Sequence, residues 1–75
     1  MPKVLVLNWK GVVQAFQKLG WTVARQRGSH IILVRDGSYV TLSIPKHRVV
    51  AQGTLRSLIR SAGITVEEFI QAEKT

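Results

Sequence analysis

The sequence predicts an α+β fold in the order α-β-β-β-α-α, a three-stranded antiparallel sheet with helices packed on one face. Three observations lead there. Apolar residues recur at helical spacing towards both ends of the chain and alternate in its middle. Asp36-Gly37 joins two alternating runs, as hairpin turns do. Gly20, Pro45 and Gly63 stand where elements should stop. With 75 residues there is room for one domain, residues 1–75, and a modest core. A hydrophobic share of 45% is that of a globular chain rather than a disordered one.

Residues 1–8 read as an extended lead-in, because Pro2 disfavours helix just before it. Asn8 is a suitable N-cap for a first helix, whose apolar stripe is Trp9, Val12, Val13, Phe16 and Leu19. Trp9 and Phe16 belong to that stripe and are read as core. Gly20 ends the helix. Trp21 to Gln26 alternates as a first strand, and Arg27-Gly28 turns the chain. Ser29 to Arg35 is the second strand and Tyr39 to Ile44 the third, closed by Pro45. Lys46 to Gly53 reads as a loop or short strand tail. Thr54 is the expected cap of a helix carrying Leu55, Leu58, Ile59 and Ala62, ended by Gly63. Thr65-Val66-Glu67-Glu68 is a capping box, with Ile64 and Phe69 spaced as a hydrophobic staple, and opens a last helix to about Ala72.

A two-residue type I′ turn at Asp36-Gly37 would pair Leu33 with Val40, Ile31 with Leu42 and His30 with Ser43. Ile31, Leu33, Val40, Leu42 and Ile44 then share the buried face. His30, Ser43, Thr41 and Tyr39 share the other, away from the helices. Burying Trp21 and Val23 beside Leu33 requires an odd loop in the first hairpin, expected as a bulge at Gly28.

Charge narrows the function classes. Eleven Lys and Arg against four Asp and Glu give a net +7. Arg25, Arg27, Arg35, Lys46, Arg48, Arg56 and Arg60 occupy the middle, where Asp36 is the only acid, while Glu67, Glu68 and Glu73 fall near the C-terminus. Clustered cations on a small domain attract phosphate backbones by releasing their counterions. There is no cysteine, so disulfide staples and thiolate metal sites are excluded. The run Val4-Leu5-Val6-Leu7 is too short to cross a membrane and lacks the layout of a cleaved leader, so a soluble, cytoplasmic protein with no membrane partner is expected.

The chemistry-bearing stretch is Arg25-Gln26-Arg27-Gly28-Ser29-His30. Fixed cations beside an imidazole favour its neutral, proton-accepting form. Such a ring takes the proton from a ribose 2′-hydroxyl as that oxygen attacks the neighbouring phosphate. Arginine and lysine stabilise the charge that develops on the phosphorus oxygens. DNA lacks the 2′-hydroxyl and is closed to this route. The route needs no metal or other cofactor, and the lack of helix-spaced His/Glu pairs argues against zinc. His30 is therefore the candidate general acid/base. Arg25, Arg27, Ser29, Lys46, Arg48, Arg56 and Arg60 are candidate RNA contacts, and His47 a possible second proton carrier. As a nucleophile Ser29 lacks a neighbouring acid to orient His30, and a hydroxyl that ties down the turn is its simpler role.

Several segments, in this order, carry a family resemblance: Lys18-Leu19-Gly20-Trp21, Gly28-Ser29-His30, Pro45-Lys46-His47, Gly53-Thr54-Leu55-Arg56-Ser57-Leu58-Ile59, then Ala62-Gly63-Ile64 with Glu67-Glu68-Phe69. Together they resemble the HicA (YcfA-like) toxins, small bacterial mRNA interferases, over roughly residues 9 to 72. The resemblance implies a double-stranded-RNA-binding-domain-like fold and endoribonuclease activity on mRNA. It also implies growth arrest and neutralisation by a HicB-type antitoxin, which would cover the His30 face. The family's catalytic histidine is that of the Gly-Ser-His segment, here His30. Gly11 departs from the acidic residue common early in the first helix, and the lead-in is more hydrophobic than the family pattern. Two other classes fit the same residues: a non-catalytic RNA-binding module, and an adaptor whose helix-free sheet face, partly apolar through Tyr39, Thr41, Ile32 and Val34, docks another protein.

Overall fold

The structure, a computed structural model, describes residues 6–75. The expected extension around Pro2 lies outside the described residues. The element order is α1 (Trp9–Lys18), β1 (Thr22–Arg27), β2 (His30–Val34), β3 (Leu42–Pro45), α2 (Gln52–Ser61) and α3 (Val66–Lys74). The expected α-β-β-β-α-α order holds, and with it the double-stranded-RNA-binding-domain-like arrangement. The sheet is antiparallel with strand order β1-β2-β3. Among the described residues no helix is long and apolar enough to cross a membrane.

The helix ends follow from identifiable side chains. Asn8 caps α1, its Oδ1 accepting from the Lys10 N–H at 2.9 Å. At the other end Gly20, at φ 97°, lets the chain turn back on itself. Its N–H donates to the Gln17 carbonyl, and the Trp21 N–H donates to the Phe16 carbonyl at 3.0 Å. That is the Schellman pattern, and its apolar contact is present as Phe16 and Trp21 rings packed edge to face at 6.4 Å. The Thr65–Glu68 capping box closes in both directions. Thr54 does not cap α2. The helix starts at Gln52, with Ala51 at the cap position and no side-chain bond there.

The second hairpin differs from expectation. The observed pairs are Leu33–Leu42, Ile32–Ser43, Ile31–Ile44 and His30–Pro45, a slip of two residues. A type I′ turn needs positive φ at both central residues, and only Gly37, at 82°, has it. The Ser38 N–H instead donates to the Arg35 carbonyl at 3.1 Å, and the Ser38 hydroxyl accepts from the Val40 N–H at 3.1 Å. These local bonds keep Ser38 to Thr41 out of the ladder. Tyr39 is fully exposed and Val40 is 41% exposed rather than buried. Because a slip of two is even, every paired side chain keeps its expected face.

The first hairpin contains the required irregularity, but within β1, four residues before Gly28 where it was expected. Arg27 pairs with His30 across a two-residue turn, and the bulge falls between Val23 and Arg25, at Ala24. Val12, Phe16, Trp21, Ile31, Leu33, Leu42, Ile44, Leu55, Ile59 and Phe69 form the core. Only one face of the sheet contributes to it. α3 packs mainly on α1, and α2 on β3. Phe16 is the hub, wholly buried and 5.2 Å from Phe69 between ring centres. Removing such a side chain from water contributes about 1.5–3 kcal/mol.

Candidate functional site

The helix-free face is built of cross-strand rows. One runs Arg27–His30–Pro45 and the next Arg25–Ile32–Ser43. His30, Arg25, Arg27 and Ser43 are exposed, while Ile32 is 9% exposed and lies outside the core cluster, covered on this outer face. His30 thus leaves the core, as its strand position predicts. Directly opposed residues on antiparallel strands lie about 4.5–5.5 Å apart at Cα, so the Arg27 guanidinium and the His30 imidazole share one patch of surface. Tyr39 and Thr41, expected beside them, sit in the β2–β3 connection instead.

The bulge delivers the arginines. Val23 pairs with Leu33 and so belongs to the core-side face, but on this edge strand it is 46% exposed rather than buried as expected. Were the alternation unbroken through Ala24, Arg25 and Arg27 would follow Val23 onto that face. Ala24 absorbs one position, and both arginines emerge beside His30.

The turn that carries His30 depends on Gly28. Its φ is 59°, while Ser29 has no positive φ, the signature of a type II′ turn with glycine first. Gln26 secures it, its Nε2 donating to the Gly28 carbonyl at 3.0 Å. The Ser29 hydroxyl, expected to tie the turn, makes no hydrogen bond among the described residues. Its carbonyl accepts from the Lys46 N–H at 2.8 Å.

That bond brings in the loop after β3. The Trp9 N–H donates to the His47 carbonyl at 3.2 Å, so the loop is held between the Gly-Ser-His turn and the start of α1. The Lys46 ammonium stands 5.1 Å from the centre of the Trp9 ring, and that of Lys10 at 5.8 Å. A cation over an indole face is held by the ring quadrupole. Lys46, His47 and Arg48 therefore gather at the same end of the sheet as His30, all exposed. Lys10 and Trp9 were not expected in this neighbourhood. The Trp9-Lys10 pair was visible, but Lys46 reaches it only through the fold. Among the described residues none of Arg25, Arg27, Lys46 or Arg48 forms an ion pair.

Arg56 and Arg60 are not brought together with His30. α2 packs on the core side of the sheet, and Arg60 lies eight residues from its start, about 12 Å along a helix.

The family model described as HicA toxin of bacterial toxin-antitoxin matches residues 9–64. A search of curated proteins gives no significant match. The matched segment runs from Trp9 to Ile64 and takes in the Gly-Ser-His turn, all three strands and α2. The chain belongs to the HicA toxin family of bacterial toxin–antitoxin systems.

Proposed function

We propose that this protein is a metal-independent endoribonuclease of the cytoplasm that cleaves mRNA, with His30 as its general acid/base. One observation carries the reading: an exposed histidine sits opposite Arg27 on a helix-free sheet face, with no ion pair to neutralise the nearby cations among the described residues. The His30 ring takes the 2′-hydroxyl proton. The freed oxygen attacks the adjacent phosphorus and the 5′-oxygen leaves, giving a 2′,3′-cyclic phosphate and a 5′-hydroxyl once a proton reaches the departing oxygen. Arg27, with Arg25 and Lys46, stabilises the phosphorane charge. Ser29 and Arg48 flank the passing backbone. His47, in the loop bonded to the Ser29 turn, is the candidate second proton carrier. A HicB-type antitoxin covering the His30 face would stop the reaction by occlusion.

His30→Ala tests the assignment. Purified protein is incubated with end-labelled RNA, and cleavage is expected to fall by about 10²–10⁴-fold. The fold should survive, since the side chain is exposed and holds no hydrogen bond among the described residues. Undiminished cleavage by the variant removes His30 from the chemistry. Binding by the wild type without new fragments leaves a non-catalytic RNA-binding module.

A further inference from the structure

We propose that Trp9 organises a backbone-phosphate site beside the His30 face, in which Lys10 and Lys46 each meet an RNA phosphate next to the one that is cut. The two lysines make the contacts, and Trp9 is the residue that positions them. The inference rests on RNA being the ligand of the His30 face and not on the cleavage chemistry.

The indole is a fixed post. Its body is half-buried and packs against the core. The loop after β3 is tied to the chain around it twice. The Trp9 N–H donates to the His47 carbonyl, and the Val50 N–H donates to the Leu7 carbonyl at 2.8 Å. Lys46 opens that loop. It follows Pro45, the cross-strand partner of His30, and its N–H is held by the carbonyl of Ser29, the neighbour of His30. The Lys46 side chain therefore starts beside the His30 pair and ends at the ring, 5.1 Å from its centre. Lys10 brings a second ammonium to the same ring, at 5.8 Å. Both lysines are exposed.

The charge gathered there has no answer within the protein. The ring quadrupole attracts each ammonium but neutralises neither, and the two repel one another. The chain has four acidic side chains. Asp36 lies past the end of β2 remote from His30, and Glu67, Glu68 and Glu73 lie on α3. The first turn of α1 carries no acid, and neither lysine forms an ion pair among the described residues. An anion from outside completes the arrangement. Lysine meets phosphate as a point charge, and a strand whose reacting phosphate lies at His30 carries further phosphates on either side. Lys46, bonded to the Ser29 turn, stands where the next of these passes. A free lysine stem loses rotamer freedom when it binds. A stem already held over an indole has less to lose, so the ring raises affinity by pre-organisation.

The full chain is titrated with a labelled single-stranded DNA oligonucleotide over a series of salt concentrations. This probe carries the phosphates but no 2′-hydroxyl, so binding is read without cleavage. Lys10→Gln is expected to shrink the slope of log affinity against log salt by about 0.7, the share of one phosphate contact. Trp9→Leu keeps an apolar side chain but loses the quadrupole. It should weaken binding about two- to fivefold at every salt concentration with the slope unchanged, and Trp9→Phe should recover part of the loss. In a chain carrying Lys10→Gln and Lys46→Gln, Trp9→Leu should have no further effect, because nothing is left for the ring to position. Should Trp9→Leu unfold, Trp9→Phe takes its place in the same comparison. An unchanged slope for Lys10→Gln overturns the proposal. So does a loss on substituting Trp9 that is equal with and without the lysines, which makes the ring a packing residue only. The same proteins are incubated with end-labelled RNA. A wild type that shows the expected binding shifts yet leaves RNA intact counts against the ribonuclease reading and leaves this site standing. Cleavage by a wild type whose slope Lys10→Gln does not alter does the reverse.

Discussion

Arg27 and His30 are cross-strand partners, the last pair of the β1–β2 ladder before the turn that joins them. This pairing fixes a permanent charge beside a titratable ring, with no salt bridge to hold it among the described residues. Arg27→Ala is expected to lower single-turnover RNA cleavage by about tenfold or more, in the range set by loss of one electrostatic stabiliser. Arg27→Lys keeps the charge but not the fork, and should recover part of the rate. Equal rates in all three proteins would separate Arg27 from the reaction.

Gly28 holds a positive φ with open space where a Cβ would stand, so the obstacle to substitution is the backbone alone. Gly28→Ala should destabilise the chain by about 1–2 kcal/mol in urea unfolding. Gly28→Asn should cost less, because asparagine visits the left-handed region more readily. Both are expected to lower cleavage, since the turn sets the Arg27–His30 pair.

Gly11 is a different kind of glycine. It lies inside α1 without a positive φ, and an added Cβ would meet Leu7 Cδ2 at 3.6 Å, an ordinary contact. Gly11→Ala should stabilise by about 0.5–1 kcal/mol. In a domain of this size that raises Tm by about 4–8 °C per kcal/mol. RNA cleavage should not change.

The caps of α2 and α3 give a paired test. Thr65→Ala removes the hydroxyl that accepts from the Glu68 N–H, while its own backbone N–H can still donate to Glu68 Oε1, and should cost about 1 kcal/mol. Thr54→Ala, inside α2 rather than at its cap, should change stability by no more than about 0.5 kcal/mol. Ala51→Ser adds a missing cap and should stabilise by about 0.5–2 kcal/mol. Thermal and urea unfolding of the three variants suffices.

Lys46 is held over the Trp9 ring at the loop that meets the Ser29 turn. Lys46→Ala should weaken RNA binding about equally across sequences. The slope of log affinity against log salt should shrink by about 0.7 for single-stranded RNA. An unchanged slope would mean that its ammonium meets no phosphate.

The elements were legible because their signals are local. Asn8, Gly20, Gly63 and the Thr65–Glu68 box each act within a few residues, and each stands where the sequence places it. The start of α2 was not legible, because Ala51 offers no side-chain signal while Thr54, three residues on, does. The outward direction of His30 survived an incorrect turn at Asp36-Gly37 because the slip was even. At the site, Arg25 and Arg27 were named but their route to the surface was misplaced, since the bulge at Ala24 leaves no mark in composition. The Lys46–Trp9 contact joins residues far apart in the chain, and no periodicity reports it.

Trp21 and Arg27 are both odd-numbered and belong to one continuous stretch, yet the tryptophan is 1% exposed and the arginine faces solvent on the opposite side. Slack of a single amino acid at Ala24 makes the two compatible. Shortening the chain there would straighten the ladder and leave both orientations intact. Lengthening it by one between Arg25 and Arg27 would rotate Arg25 towards the oily interior while altering no charge. In this hairpin, length is inherited information as much as side-chain identity is.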